Sequence, residues 1–180
     1  MIGVLVSGEG TNLQALLDAH LPVVAVASNR RGAAALARAE ARAVPTAVFE
    51  LAEFADRAAR DAAMADWLAA HGVRLVVLAG YLHLLTPGFL ARFPDAVVNV
   101  HPSLLPAFPG LHAVEEQLAA GVAEAGATVH LVDEGVDSGP VLAQARVPVL
   151  AGDTPETLHR RIKAVEHRLL PAVVRELCGP

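Results

Sequence analysis

An asparagine and a histidine two residues apart, Asn99 and His101, are the side chains in this sequence best suited to chemistry. They end an apolar run that predicts a buried strand, and Pro102 and Pro106 then restrict the path of the chain. Because alternate residues of a strand point to the same side, we expect the two side chains to lie together. Both can donate a hydrogen bond to an oxyanion, and histidine also exchanges a proton near neutral pH. The plain alternative is a hydrogen-bonded turn at a strand end.

A second polar segment, residues 133–139, reads Asp-Glu-Gly-Val-Asp-Ser-Gly. Aspartate and glycine favour turns, so the segment is typical of a hairpin loop between two late strands. Asp137 could also pair with His101, favour its charged form and relay protons. The sequence leaves both interpretations open.

A third segment, residues 7–12, reads Ser-Gly-Glu-Gly-Thr-Asn and connects the first predicted strand to the first predicted helix. Glycines allow a backbone to approach an anion, and a helix N-terminus supplies N–H groups and the positive end of a dipole. This pattern favours phosphate binding over a simple tight turn. A dinucleotide site is disfavoured, because Leu13 replaces the third glycine and no acidic residue ends the second strand.

These segments lie within alternating apolar runs and helical patterns. Strands are predicted at residues 2–6, 22–27, 46–49, 75–79, 96–100, 128–132 and 141–149. Helices are predicted at residues 13–19, 33–41, 53–70, 87–93 and 113–120, and a long last helix is predicted from Thr154 to about residue 176. The alternation predicts an α/β fold, an open and mostly parallel twisted sheet with helices on both faces.

Composition narrows the function classes. The 180 residues are 54% hydrophobic and carry a net charge of −5, which argues against a general nucleic-acid surface. The single cysteine cannot form an internal disulfide, and the histidines lack metal-ligand spacing, so no metal is expected. The longest uncharged run is interrupted by glycine and proline, so no membrane span is expected. The N-terminus has no basic leader, and we expect a cytoplasmic protein.

Residues 163–167 on the last helix and Arg57 on the third helix carry charges whose default interpretation is a solvated helix face. Nothing in their spacing alone assigns them a function.

Together, the motifs resemble a known enzyme family. The segments 8–15, 79–81, 99–106, 109–110 and 133–139 occur in the order found in the phosphoribosylglycinamide formyltransferases, which use a folate. The resemblance covers residue 1 to about residue 174. It implies one Rossmann-like formyltransferase domain over residues 1–180, with a phosphate- and nucleotide-binding half at 1–100 and a folate-binding and catalytic half at 101–180.

The resemblance also implies residue roles. Asn99, His101 and Asp137 would be catalytic, and no metal would be needed. Glycinamide ribonucleotide (GAR) would be bound by Gly10, Thr11, Asn12, Lys163, Ala164, Val165 and Glu166. The co-substrate 10-formyltetrahydrofolate would be bound by Arg57, Leu82, His83, Leu84, Leu85, Asn99, Asp133, Glu134, Gly135, Val136 and Asp137. The formyl group would pass to the GAR amine through a tetrahedral oxyanion. No nucleic acid or membrane partner is expected, and the protein would be a monomer or homodimer.

Two departures concern affinity. His83 stands where many relatives carry arginine, and Ala107 where lysine is common. We expect the His83 side chain to contribute little to folate binding, with the backbone around it making the contacts. Three alternatives remain. A formyltetrahydrofolate hydrolase would carry an extra N-terminal domain, and a methionyl-tRNA formyltransferase an extra C-terminal domain and a basic surface. A non-catalytic nucleotide-binding module would need only the loop around Gly10.

Overall fold

The strands and helices of the computed structural model, which describes residues 1–179, alternate as the apolar pattern predicts. Seven strands form one sheet in the order β3-β2-β1-β4-β5-β6-β7. The strands are β1 Ile2–Val6, β2 Val23–Ser28, β3 Thr46–Val48, β4 Leu75–Leu78, β5 Val97–His101, β6 Glu124–Leu131 and β7 Val141–Pro148. The helices are α1 Thr11–Asp18, α2 Ala34–Glu40, α3 Arg57–Ala70, α4 Pro87–Leu90, α5 Ala113–Ala119 and α6 Pro155–Cys178. The predicted open, mostly parallel α/β sheet is confirmed.

The chain divides into two compact units, the first covering Met1–Val98 and the second beginning at Asn99. In the first unit, β1 pairs in parallel with both β2 and β4, and β2 pairs in parallel with β3. The strand order therefore reverses between β1 and β4. Right-handed crossovers then place α1 and α2 on one face of these strands and α3 on the other. The β1 residues are all buried, as expected for a strand covered on both faces.

The second unit is built around an antiparallel hairpin. Strands β6 and β7 pair from Glu124 opposite Pro148 to His130 opposite Val141, with one irregularity after Val129. Helix α6 packs on this hairpin, and its Leu158 and Ile162 share a core with Ala127. The loop that joins β6 to β7 is the acidic segment 133–139.

The starts of two elements differ from the prediction by four residues, and the other boundaries differ by three or fewer. The third helix was predicted from residue 53, but the structure has a 3-10 turn at Leu51–Glu53 and begins α3 at Arg57. Asp56 explains the later start, because its carboxylate accepts the Ala59 N–H at 2.8 Å and caps the helix. Strand β6 begins four residues earlier than predicted, because its first four residues, mostly small, are paired with the end of β7.

No helix among the described residues is both long enough and apolar enough to cross a membrane.

The start of α6 has the side-chain cap that its sequence indicates. Thr154 is the N-cap residue, its hydroxyl accepts the Thr157 N–H at 3.3 Å, and its own N–H donates to Thr157 Oγ1 at 2.8 Å. Pro155 occupies the first turn, where a missing N–H costs nothing. The side chain of Asp153, just before the cap, accepts hydrogen bonds from Arg161 at 2.7 and 3.0 Å and so links the loop to the helix.

We expect Thr154→Ala to lower the free energy of unfolding by about 1 kcal/mol, because it removes the cap of the helix that covers the β6–β7 hairpin. Thr154→Ser keeps the hydroxyl and is the matched control. Urea denaturation of the three proteins measures the difference. An alanine variant as stable as the serine variant would contradict this account of the helix start.

Candidate active site

Two of the predicted functional loops meet at the point where the strand order reverses. The loop after β1 and the loop after β4 are joined by a hydrogen bond from Ser7 N–H to the Gly80 carbonyl at 3.1 Å. The Leu82 N–H adds a second bond, to Ser7 Oγ at 3.0 Å. Open α/β sheets bind ligands outside the carboxyl ends of strands at such a reversal. This end of the first unit is therefore the place to expect a ligand.

Gly10 is required for a different reason from the one the sequence suggests. Its backbone is left-handed, with φ +73°, and an added Cβ would lie 2.5 Å from Ala35 Cβ and 2.7 Å from Ala35 Cα. Glycine is thus needed for packing against α2, whether or not a ligand is bound. Gly8 contrasts with it, since an added Cβ there would meet nothing within 4 Å.

The loop after β1 is held by its carbonyl groups. Gly8 C=O accepts the Ala35 N–H at 3.0 Å, and Glu9 C=O accepts from Arg38 Nε at 2.8 Å. Helix α1 then begins at Thr11 behind Gly10, whose lack of a side chain leaves the helix without a side-chain cap. A helix start of this kind, with its N–H groups at the end of the loop, suits an anion.

The second unit brings the predicted catalytic side chains together. Asp137 Oδ2 lies 3.3 Å from His101 Nδ1, and Asp137 Oδ1 lies 3.4 Å from Asn99 Nδ2. Asn99 and His101 thus face the same carboxylate from alternate positions of β5. The acidic loop is a hairpin loop, as its composition indicates, and it also delivers Asp137 to the histidine.

His101 is held between two acceptors. It is 5% exposed, its Nε2 lies 2.8 Å from the Phe108 carbonyl oxygen, and its Nδ1 faces Asp137. A positively charged imidazolium would donate a proton toward each of these groups.

Asp137 is held as a carboxylate. Burial alone would raise its pKa, but the facing His130 and His101 rings and the Gly110 N–H at 2.8 Å together lower the pKa below its usual value. Its backbone φ of +50° is uncommon outside glycine and turns the side chain inward from an otherwise exposed loop. The carboxylate is thus ionised at neutral pH.

A buried histidine that the sequence analysis missed completes the cluster. His130 on β6 is 2% exposed, and its Nδ1 lies 2.8 Å from the Leu131 carbonyl oxygen. Its Nε2 lies 3.2 Å from Asn99 Nδ2 and 3.5 Å from Asp137 Oδ1. The ring thus joins the end of β6 to the Asn99 amide and the Asp137 carboxylate. Its place on a strand, two residues from another polar residue, is the signal that could have revealed it.

That other residue, Thr128, is also buried and holds the chain that leaves β5. Its hydroxyl donates to the Ser103 carbonyl at 2.6 Å and accepts the Leu105 N–H at 3.0 Å. Ser103 Oγ in turn donates to the Ala107 carbonyl at 2.6 Å. The peptide bond between Leu105 and Pro106 is cis. The hydrogen bonds of Thr128 and Ser103 hold in place the loop whose Phe108 carbonyl oxygen lies against His101.

The remaining predicted residues fall into two groups. In the first unit, Arg57, Leu82, His83 and Leu84 are exposed and Leu85 is buried. In the second unit, Asp133, Glu134, Gly135 and Val136 form the exposed part of the hairpin loop, where Asp133 Oδ1 accepts the Gly135 N–H and the Ser138 hydroxyl.

The four α6 residues assigned to GAR differ in exposure. Val165 belongs to the core of the second unit and Ala164 is exposed. Lys163 is half-buried and Glu166 is only 4% exposed, so a solvated helix face does not describe the glutamate. Among residues 1–179, no group of three or more histidine, cysteine or acidic side chains is arranged to hold a metal ion.

Comparison with known proteins identifies the family of the chain. Residues 1–174 match the family described as formyl transferase. A phosphoribosylglycinamide formyltransferase from Mycobacterium tuberculosis is 52% identical over 97% of this chain and 83% of its own length. A phosphoribosylglycinamide formyltransferase from Haemophilus influenzae is 41% identical over 97% of this chain and 85% of its own length. The crystal structure of glycinamide ribonucleotide transformylase 1 from Symbiobacterium toebii superposes with a TM-score of 0.95 at 50% identity, covering 97% of this chain and 85% of that one. The chain described here therefore belongs to the formyl transferase family.

Proposed function

We propose that this protein transfers the formyl group of 10-formyltetrahydrofolate to the amine of GAR in purine biosynthesis. The observation that carries the proposal is the cluster of Asn99, His101 and Asp137 in a chain of the formyl transferase family. Relatives that are 41–52% identical over nearly the whole chain are named for this reaction. The function is that of a one-carbon transferase with two small-molecule substrates. We expect the protein to act in the cytoplasm, as a monomer or a homodimer.

The chemistry begins with attack by the GAR amine on the formyl carbon. A C–N bond forms, and the formyl oxygen becomes a tetrahedral oxyanion. Asn99 and protonated His101 stabilise that oxygen by donating hydrogen bonds. The folate C–N bond then breaks, and the proton lost by the amine is transferred to the leaving nitrogen.

The distances in the cluster support this role. The contacts of Asp137 with His101 at 3.3 Å and with Asn99 at 3.4 Å are longer than the roughly 2.8 Å of a strong charge-assisted hydrogen bond. Donors that are held this loosely can turn toward a charge that develops beside them, as catalytic donors commonly do once substrate is bound. Ionised Asp137 keeps the imidazolium favourable and can accept and return the migrating proton, through water.

On the folate side, the proposal assigns segment 82–85 and Arg57 in the first unit. Leu82 and Leu84 are 55% and 52% exposed, and a flat aromatic ring packed against them would reduce that exposure. In the second unit it assigns Asn99 and the 133–137 loop, where Val136 is 51% exposed. Within each unit, apolar side chains beside backbone N–H and C=O groups suit contact with a pterin.

On the GAR side, the proposal assigns Gly10, Thr11 and Asn12 in the first unit, because the start of α1 suits a phosphate. In the second unit it assigns Lys163, Ala164, Val165 and Glu166. Among these four, the carboxylate of Glu166 is the group suited to a ribose hydroxyl, since a carboxylate accepts hydrogen bonds.

One assay tests the proposed function. The purified protein is given 10-formyltetrahydrofolate with and without GAR, and folate product is followed by absorbance while formylated GAR is identified by mass. The proposal requires product that depends on GAR. Equal folate turnover without GAR would instead indicate a formyltetrahydrofolate hydrolase, and binding without turnover would indicate a non-catalytic module.

Replacing Asn99 by alanine should lower kcat by about 10²–10³, the loss typical of one oxyanion donor. His101→Ala and Asp137→Ala should be comparably severe, and the triple variant should not multiply the losses, since the three groups act as a unit. Arg146→Ala, at an exposed ion pair with Glu124 on the same hairpin, is the control and should turn over normally. Near-normal kcat in a folded His101→Ala protein would rule out the mechanism.

Alanine variants of Gly10 and Gly8 separate the packing role of each glycine from the proposed phosphate binding. Gly10→Ala should lower the free energy of unfolding by about 2 kcal/mol or more, because the new Cβ overlaps Ala35 and the backbone is left-handed. Gly8→Ala adds the same methyl group where nothing opposes it, so stability should change by less than about 0.5 kcal/mol. Thermal unfolding of both variants measures this difference.

If substrate phosphate approaches the 8–12 loop, Gly8→Ala should also raise KM for GAR more than KM for folate. Equal effects on both constants would argue against the phosphate assignment.

A further inference from the structure

A chain of polar side chains runs beneath the segment that the proposed function places against the folate. Arg60 and Asp61, neighbours in the first turns of α3, are both 0% exposed. Arg60 Nε and Nη2 donate to Asp61 Oδ1 at 2.9 and 2.7 Å. A buried ion pair is stable only when the remaining donors of the guanidinium and the remaining acceptors of the carboxylate also have hydrogen-bond partners.

Segment 82–86 supplies those partners. The Thr86 N–H donates to the other carboxylate oxygen of Asp61 at 2.8 Å. Arg60 Nη1 lies 2.8 Å from His83 Nδ1. The segment is thus attached to the buried ion pair at both its middle and its end, while the Leu82 N–H bond to Ser7 Oγ attaches its start.

The guanidinium decides the state of the histidine. Arginine only donates, so His83 Nδ1 must accept and cannot carry a proton. Nε2 lies 3.3 Å from Asn29 Nδ2, and Asn29 Oδ1 accepts the Ser7 hydroxyl at 2.6 Å. A neutral His83 therefore joins the side chain of Asn29, just after β2, to the buried charge.

We infer that His83 is a positioning residue for the proposed folate site: its imidazole accepts from buried Arg60 and so fixes the conformation of segment 82–86. This inference rests on the proposed function and replaces the expectation that the side chain contributes little. It also differs from a charge contact with the acidic tail of the cofactor, because the ring must be neutral to do this work.

The charged groups around His83 are consistent with a neutral ring. On α3 they are Arg57, Arg60 and Asp61, and on the loop after β4 the ring of Tyr81 lies 6.0 Å away, edge to face. Burial, then Arg60 and Arg57, lower the pKa of His83, against an opposite effect of Asp61. Burial also raises the pKa of Tyr81 to about 12, so the tyrosine brings no charge.

Two nearly identical variants test the inference. The amide oxygen of His83→Asn can occupy the place of Nδ1 and accept from Arg60, whereas the amide of His83→Gln lies one methylene farther out, near Nε2. We expect His83→Asn to keep KM for folate within about twofold of the unchanged protein and His83→Gln to raise it about tenfold. KM for GAR should change by less than about twofold in both. His20→Asn, at an exposed histidine after α1, is the control.

Isothermal titration with 5-formyltetrahydrofolate repeats the comparison without turnover, and circular dichroism checks that each variant folds. Equal folate constants in the asparagine and glutamine variants, whether both normal or both raised, would overturn the inference. Failure of the unchanged protein to formylate GAR would overturn the proposed function instead.

The response to pH separates positioning from charge contact by its sign. Protonation of His83 would place a positive ring against Arg60 and break the link. Because the pKa of His83 is lowered, KM for folate should rise only when the pH falls below the ordinary range of histidine titration. His83→Asn has no such group and should lack that rise. A direct contact with the acidic tail predicts the opposite, tighter binding at lower pH, and that result would also overturn the inference.

Discussion

A carboxylate withdrawn from water must be met by donors, and the second unit is organised around meeting Asp137. The Gly110 N–H from one loop and the Asn99 amide and His101 ring from the end of β5 all face its two oxygens. The hairpin loop, the strand end and the loop after Pro109 are thereby fixed to one charge. Without that charge, neither the left-handed backbone of Asp137 nor the inward turn of the loop would have an evident cause.

Much of the fold can be predicted from the sequence, because its apolar runs and its helical periodicity are regular. The confirmed parallel arrangement followed from continuous apolar strands, and the pairing of Asn99 with His101 followed from alternation alone. The same rule applied to Thr128 and His130 would have revealed the buried residues of β6. A strand that begins at Thr128 lacks Ala125 and Ala127, whose burial marks this part of β6 as interior.

Other features were out of reach of the sequence. Arg60 and Asp61 are adjacent charges on a helix, and such a pattern ordinarily indicates a solvated face. Their complete burial depends on His83 and Thr86, which come more than twenty residues later. Gly10 is a similar case: the need for glycine was evident, but the sequence does not show that Ala35 on the next helix is by itself enough to require it. Local sequence patterns identify the residues that are important. The structural reason for each one depends on partners that are distant in the sequence.

The two borders of the sheet are protected in different ways. At one border, β3 has only three residues and offers few unpaired backbone groups. At the other, β7 has eight residues, and an exposed strand of that length could recruit a strand of another molecule. Prolines at 140 and 148 flank or end it and cannot donate, and Arg146 adds charge to its exposed surface. A long edge strand is thus compatible with resistance to aggregation, because the proline at each end cannot donate a backbone hydrogen bond to a strand of another molecule.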